Sequence, residues 1–152
     1  MNSATRAQLL TLGALVLALA VTASAQSQKS DRCTAYLAGQ TIVMSTDPTE
    51  GVKTVPDSAC VKRGRSVSWT SNDGEWATDF YPNSPFSNGR RGHLGKAKEK
   101  YGDKVKRCNR SDSNYKENRG GCVYKYSVDL TTGDGKKSHK DPEIIIEPEL
   151  GQ

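Results

Sequence analysis

The sequence predicts an all-β protein, an antiparallel sandwich of short strands. Three observations predict it. The stretch Cys122–Leu130 alternates with period two: Cys122, Tyr124, Tyr126, Val128 and Leu130 fall on one face, and Lys125, Ser127 and Asp129 on the other. Several other short runs of β-branched and aromatic residues are bounded by Gly, Pro, Asn and Asp. Helical periodicity is almost absent.

In chain order, Met1–Ala25 has the pattern of a secretory signal peptide. Arg6 supplies the positive start, Leu9–Val21 the apolar run, and Ala23-Ser24-Ala25 an A-x-A cleavage site. The apolar run is short for a membrane span, which takes about 20 residues; an uncleaved N-terminal anchor is the competing reading. Cleavage leaves 127 of the 152 residues, one domain over 26–152, and lowers the formal charge from +5 to +4. No second long apolar segment follows. A periplasmic or secreted protein is expected, with no transmembrane segment after cleavage.

Thr41–Ser45 is expected as the first strand, Val52–Val55 as the second, ended by Pro56, and Ala59–Val61 as a short extended piece. Lys62-Arg63-Gly64-Arg65 reads as a turn before the strand Ser66–Thr70. Ser71-Asn72-Asp73-Gly74 is a hairpin signal, because Asp-Gly tolerates the positive φ of a tight turn. Trp76–Tyr81 follows, with Trp76, Thr78 and Phe80 on a shared face, and ends at Pro82.

Residues 87–121 read as a basic loop insertion, with a short helix over Lys96–Tyr101. Between Arg90 and Arg110 nine Lys/Arg stand against Glu99 and Asp103. Cys122–Leu130 is the next strand. Gly133–Lys140 is a turn, and Ile144-Ile145-Ile146, bounded by Pro142 and Pro148, is the last strand.

All four cysteines lie in the exported part, which points to disulfides. Three pairings exist; Cys33–Cys60 and Cys108–Cys122, which staple neighbouring segments, are favoured. A four-cysteine zinc site is the alternative, but it calls for close C-x2-4-C pairs and these spacings are long.

Val61-Lys62-Arg63-Gly64-Arg65-Ser66-Val67-Ser68-Trp69-Thr70-Ser71-Asn72-Asp73 resembles the V-K-x-G-D-x-V-x-W-x-N-x-D segment of cupredoxin-like domains. Gly121–Val128, with Tyr124-x-Tyr126, resembles their later strand, G-x-Y-x-Y-x-C. The ending Asp141–Ile146 is similar to the tail of small exported bacterial proteins of that type whose function is not known. The resemblance spans roughly Val52–Pro148 outside the basic insertion. It implies a Greek-key, cupredoxin-like sandwich. It does not carry copper chemistry, which needs two histidines and a thiolate. No histidine follows Trp69 in the segment Gly74–Thr78, and Val128 stands at the cysteine position. No metal and no cofactor are expected.

For activity, His93 and His139 are the only histidines, each in a polar stretch that favours solvent exposure. Glu75 beside Trp76 suggests a carboxylate against an aromatic wall; a turn acid beside a core tryptophan is the plainer reading. No G-x-S-x-G, Walker A or H-E-x-x-H pattern occurs. Trp69, Trp76, Phe80, Tyr124 and Tyr126 have the spacing of core strand residues more than of a ligand groove.

The feature that invites a partner is the basic run: Arg90, Arg91, Lys96, Lys98, Lys104, Lys106, Arg107 and Arg110. A solvated charged loop is its competing explanation. Export disfavours nucleic acid and favours an envelope protein, an anionic polymer or a lipid surface. The sequence therefore predicts an exported, non-enzymatic binding module. A copper-handling or redox relative of cupredoxins, or an exported hydrolase or toxin using His93, are the alternatives.

Overall fold

The computed structural model describes residues 32–150. The signal-peptide segment Met1–Ala25 lies outside the described residues. Among the described residues, ten strands form the fold, with one short 3-10 turn, Glu117–Arg119. They are β1 (Leu37–Asp47), β2 (Gly51–Val55), β3 (Ser58–Ser71), β4 (Gly74–Phe80), β5 (Gly92–Gly95), β6 (Lys100–Lys104), β7 (Tyr115–Lys116), β8 (Gly121–Thr132), β9 (Lys137–Lys140) and β10 (Glu143–Ile146).

The fold is all-β, but its sheet is mixed and not antiparallel throughout. The order β2-β1-β3-β10-β8 builds one layer, with β6 beside β3 and β7 beside β8. The β1–β2 hairpin leaves β2 at the edge, so β3 returns on the far side of β1 and must run parallel to it. β10 lies between β3, to which it is parallel, and β8, to which it is antiparallel. The second layer is β9-β8-β4-β5, antiparallel throughout.

β8 belongs to both layers. Its first half, Cys122–Lys125, pairs with β10, and its second half, Tyr126–Thr132, pairs with β4. The alternation expected for this stretch holds: Cys122, Tyr124, Tyr126, Val128 and Leu130 are buried, and Lys125 and Asp129 are exposed. Trp76, Thr78 and Phe80 of β4 are buried on one face, as their spacing predicts. Trp69 of β3 sits at the centre of the core, its ring edge-on to Phe80, Phe86 and Tyr126 at 5.9, 5.8 and 5.7 Å. Its indole N–H donates to the Tyr126 hydroxyl at 3.1 Å, so the buried donor is satisfied.

Four local expectations are corrected. Lys62–Arg65 is not a turn between strands. It lies within β3, where Gly64 takes φ +68° and the burial alternation breaks. Ser71–Gly74 does not close a hairpin. It carries the chain from β3 in one layer to β4 in the other, held where Asp73 accepts the Thr46 N–H at 2.5 Å and its hydroxyl at 2.9 Å. Lys96–Tyr101 is not a helix but a tight turn running into β6. Gly133–Lys140 ends in strand β9, a hairpin partner of β8.

The basic insertion is not a loop set apart from the fold. β5 pairs with β4 and β6 pairs with the second half of β3. Local pattern hides this because β6, Lys-Tyr-Gly-Asp-Lys, has no alternating apolar face. Its place is set by close backbone approach: a Cβ at Gly102 would fall 2.2 Å from the Val67 carbonyl oxygen.

Two disulfides close the structure, Cys33–Cys60 and Cys108–Cys122. The second spans 14 residues and constrains the unfolded chain by about 3 kcal/mol in the loop-entropy account. Ile144 and Ile146 enter the main core. Ile145 is buried too, and its register partner is Cys60, which the first disulfide ties to the segment before β1.

Among the described residues, no helix is long and apolar enough to cross a membrane.

Candidate functional site: an arginine-lined cleft

The fold scatters the basic run instead of presenting it as one surface. Arg90 reaches toward Asp103, Nε to Oδ2 3.8 Å. Arg91 donates from Nε to the Phe80 carbonyl at 3.0 Å and lies over the Tyr81 ring at 5.1 Å. Lys96 and Lys98 belong to the turn before β6, and Lys104 is exposed at its end. Lys106 places its ammonium 5.0 Å from the centre of the Tyr124 ring. Arg107 and Arg110 share a concavity.

That concavity is a cleft of about 1050 Å³ built from three separate segments. Arg63 and Gly64 come from the irregular middle of β3. Arg107, Asn109, Arg110 and Ser111 come from the loop after β6. Glu149 and Leu150 come from the tail. Backbone bonds lock these pieces together: Gly64 N–H to Val105 O at 3.1 Å, Val105 N–H to Arg65 O at 2.8 Å, and Glu149 N–H to Cys108 O at 2.8 Å. The Cys108–Cys122 disulfide anchors the arginine loop to β8.

Each guanidinium is held differently. Arg63 donates from Nη1 to the Pro148 carbonyl at 2.9 Å, with Glu147 3.8 Å away. Arg107 stands 3.6 Å from Glu149 but is 83 % exposed, so this contact restrains it weakly. Arg110 is exposed, with Asn109 and Ser111 beside it in the cleft lining. Three guanidiniums stand against two carboxylates, Glu149 in the lining and Glu147 beside Arg63, which leaves a positive excess. Arginine presents a planar fork of donors matched to carboxylate and phosphate oxygens, so the cleft favours an anionic group. Sequence reasoning placed Arg107 and Arg110 in the basic run and missed Arg63. The signal available was Gly64, next to Arg63 in sequence, which marks the irregular middle of β3 with its positive φ.

The histidines divide. The expectation that both are exposed fails for His93, whose side chain is 2 % exposed. It stacks on Trp69 at 5.1 Å, and its Nε2 lies 3.0 Å from Asp103 Oδ2. Burial lowers its pKa, and the Asp103 carboxylate opposes that shift. β5 pairs with β4 so that His93 faces inward and Leu94 outward, a consequence of a strand the sequence did not reveal. His139 is exposed between Asp129, at 2.8 Å, and Asp141, at 3.2 Å, and the hydrogen bond to Asp129 raises its pKa.

A type-1 copper centre, which the cupredoxin resemblance brings to mind, does not fit these residues. It needs a cysteine thiolate, and all four cysteines are in disulfides. His93 is engaged by Asp103, and Val128 fills the place of the family's cysteine as a buried core residue. Glu75 is exposed beside buried core residue Trp76, but it is a strand residue of β4, paired with Thr131 of β8, and not a turn acid.

No known family model matches the chain, and no curated protein matches it either.

Proposed function

We propose that this protein is an exported, non-enzymatic binding module that takes an anionic group of an envelope partner in the Arg63–Arg107–Arg110 cleft. The observation that carries the reading is the meeting of three guanidiniums from two separated segments in one concavity, braced by a disulfide. The N-terminal Met1–Ala25 pattern supports export to the periplasm or beyond. We read the domain as a copper-free, Greek-key, cupredoxin-like sandwich. Val61–Asp73, which resembles that family, falls on β3 and the crossing after it, and Tyr124-x-Tyr126 falls on β8.

An anionic polymer suits the cleft better than a flat lipid surface, because the arginines line a concavity and not a protruding face. The test is binding of fluorescent polyglutamate and polyphosphate to the mature protein across a salt series. Charge reversal of Arg63, Arg107 and Arg110 together should weaken binding at least about tenfold, roughly 1.4 kcal/mol, and flatten its salt dependence. Reversal of Lys96, Lys98 and Lys104, outside the cleft, is the control. Equal loss in both variants would mean a diffuse charge effect and no site.

A further inference from the structure

β5 is anchored to the core by one side chain. Of its four residues, Gly92 to Gly95, only His93 is buried; Leu94 points outward and is 77 % exposed. One edge of β5 pairs with β4. β6 lies beside the other edge, but among the described residues no backbone hydrogen bond joins the two strands. Side chains close this seam instead. His93 Nε2 is 3.0 Å from Asp103 Oδ2 of β6, and Arg90, just before β5, has its Nε 3.8 Å from the same oxygen.

The surroundings of His93 suit a neutral ring. Trp69 stacks on it at 5.1 Å, and Phe86 meets it edge-on at 5.3 Å. The charged groups that face it are Asp103 of β6 and Arg90, opposite in sign; Thr78 of β4 and the aromatic rings carry none. The second ring nitrogen, Nδ1, is buried and has no hydrogen-bond partner. A neutral ring can donate from Nε2 to Asp103 and leave only a lone pair at Nδ1. Protonation places an N–H at Nδ1 with no acceptor, and a positive charge away from water. Asp103 favours that charge, but burial is the larger cause and holds the pKa below its ordinary value.

We propose that β5 is an acid-released flap: a protonated His93 leaves the core for water, β5 lifts from β4, and the aromatic core beneath is uncovered. The contact that fastens the strand is the one that titrates, so release needs no other part of the fold to yield. Lifting β5 frees the face of Trp69 on which His93 stacks. It also bares the Trp76 ring, because Gly95 lies against it: a Cβ there would fall 2.4 Å from Cε2. β8 and β10, whose buried residues are apolar or paired without this histidine, stay in place. The flap shares no residue with the arginine cleft and stands or falls independently of it.

The test is amide hydrogen exchange of the mature protein between about pH 7.5 and 5, corrected for intrinsic rates. The probes are the Phe80 amide, which donates to Arg91 O at 2.7 Å, and the His93 amide, which donates to Thr78 Oγ1 at 3.2 Å; lifting β5 frees both. They should exchange with a smaller urea dependence than the β8 amides, the mark of a local opening. Their opening constant should rise toward about tenfold per pH unit below about pH 6.5. His93→Gln should abolish that response, and His139→Gln, at an exposed position, should keep it. Nitrogen NMR of the His93 ring is a second readout in the parent itself, with a midpoint expected below about 6.5. Probe amides that share the urea dependence of β8 overturn the proposal, because β5 then leaves only with global unfolding. So does an opening constant that is flat with pH, a response that survives His93→Gln, or a His93 midpoint at or above its ordinary value.

Discussion

Replacing Gly95 by Ala should destabilise the protein, although the backbone there is not left-handed and alanine suits a strand no worse than glycine. The reason is the Trp76 ring. A Cβ at position 95 would lie 2.4 Å from Cε2, 2.5 Å from Cζ2 and 2.6 Å from Nε1. Carbon atoms in contact sit about 3.5–4.0 Å apart, so three ring atoms are overlapped by roughly 1 Å each. The ring has little room to retreat, being 2 % exposed with Tyr101 tilted against it at 6.1 Å. Overpacking of this kind costs about 1–3 kcal/mol. Lower unfolded-state entropy returns about 0.4–1 kcal/mol to a Gly→Ala change, which leaves a net loss of about 1–2 kcal/mol. Urea unfolding with an unchanged m-value measures it as a drop in midpoint. Gly133→Ala is the control, since nothing lies within 4 Å of a Cβ there, and its effect should stay within about 0.5 kcal/mol. In a Trp76→Leu background the penalty at position 95 should largely vanish, a coupling of about 1 kcal/mol or more. A Gly95→Ala protein as stable as its parent refutes the argument, and with it the close approach of β5 to the indole.

Two further outcomes follow from buried charge. Glu143 is 2 % exposed and is held by Arg119, with the Ser58 hydroxyl donating to it at 2.7 Å; Arg119→Met strands that carboxylate and should cost about 3–5 kcal/mol in chemical unfolding. A loss below about 1 kcal/mol would mean that the carboxylate finds water. His93 holds a lowered pKa in the folded state, so the unfolded chain takes up a proton as pH falls through about 6.5 while the folded chain resists it. Its contribution is therefore complete above the unfolded pKa and is lost as pH drops through the folded value, with a limiting slope of about 1.4 kcal/mol per pH unit. His139, raised by Asp129, acts in the opposite sense: its contribution is present at low pH and lost as pH rises through its folded pKa. Comparing stability against pH for the parent and His93→Gln isolates the first effect; an identical slope between about pH 7 and 5 would count against it.

The strands that were legible are those whose residues state their own faces. β8 and β4 alternate between core and solvent, and three isoleucines between prolines mark β10. β6 and β9 were illegible for the opposite reason. Lys-Tyr-Gly-Asp-Lys and Lys-Ser-His-Lys carry no buried face of their own, and they pair because neighbouring strands present free edges. The parallel pairs were equally hidden. Direction follows from which side of β1 the chain returns to after its hairpin, a choice no residue in the turn records.

The same logic explains why a dense run of positive charge does not make a single positive face. Nine basic residues in twenty-one would line one surface only if the segment were a helix or a free loop. Here the segment is split among β5, a tight turn, β6 and a disulfide-bounded loop, each with its own orientation. Arg90 is drawn to Asp103, Arg91 to Tyr81 and the Phe80 carbonyl, and Lys106 to Tyr124. What survives as a concentrated cluster of guanidiniums joins Arg63, more than forty residues earlier and next to the irregular Gly64, to a loop that a disulfide ties to β8. Specific recognition of an anion requires fixed geometry as well as charge. In the cleft Arg63 has such a fixed tie, to the Pro148 carbonyl, and Arg107 and Arg110 add charge beside it.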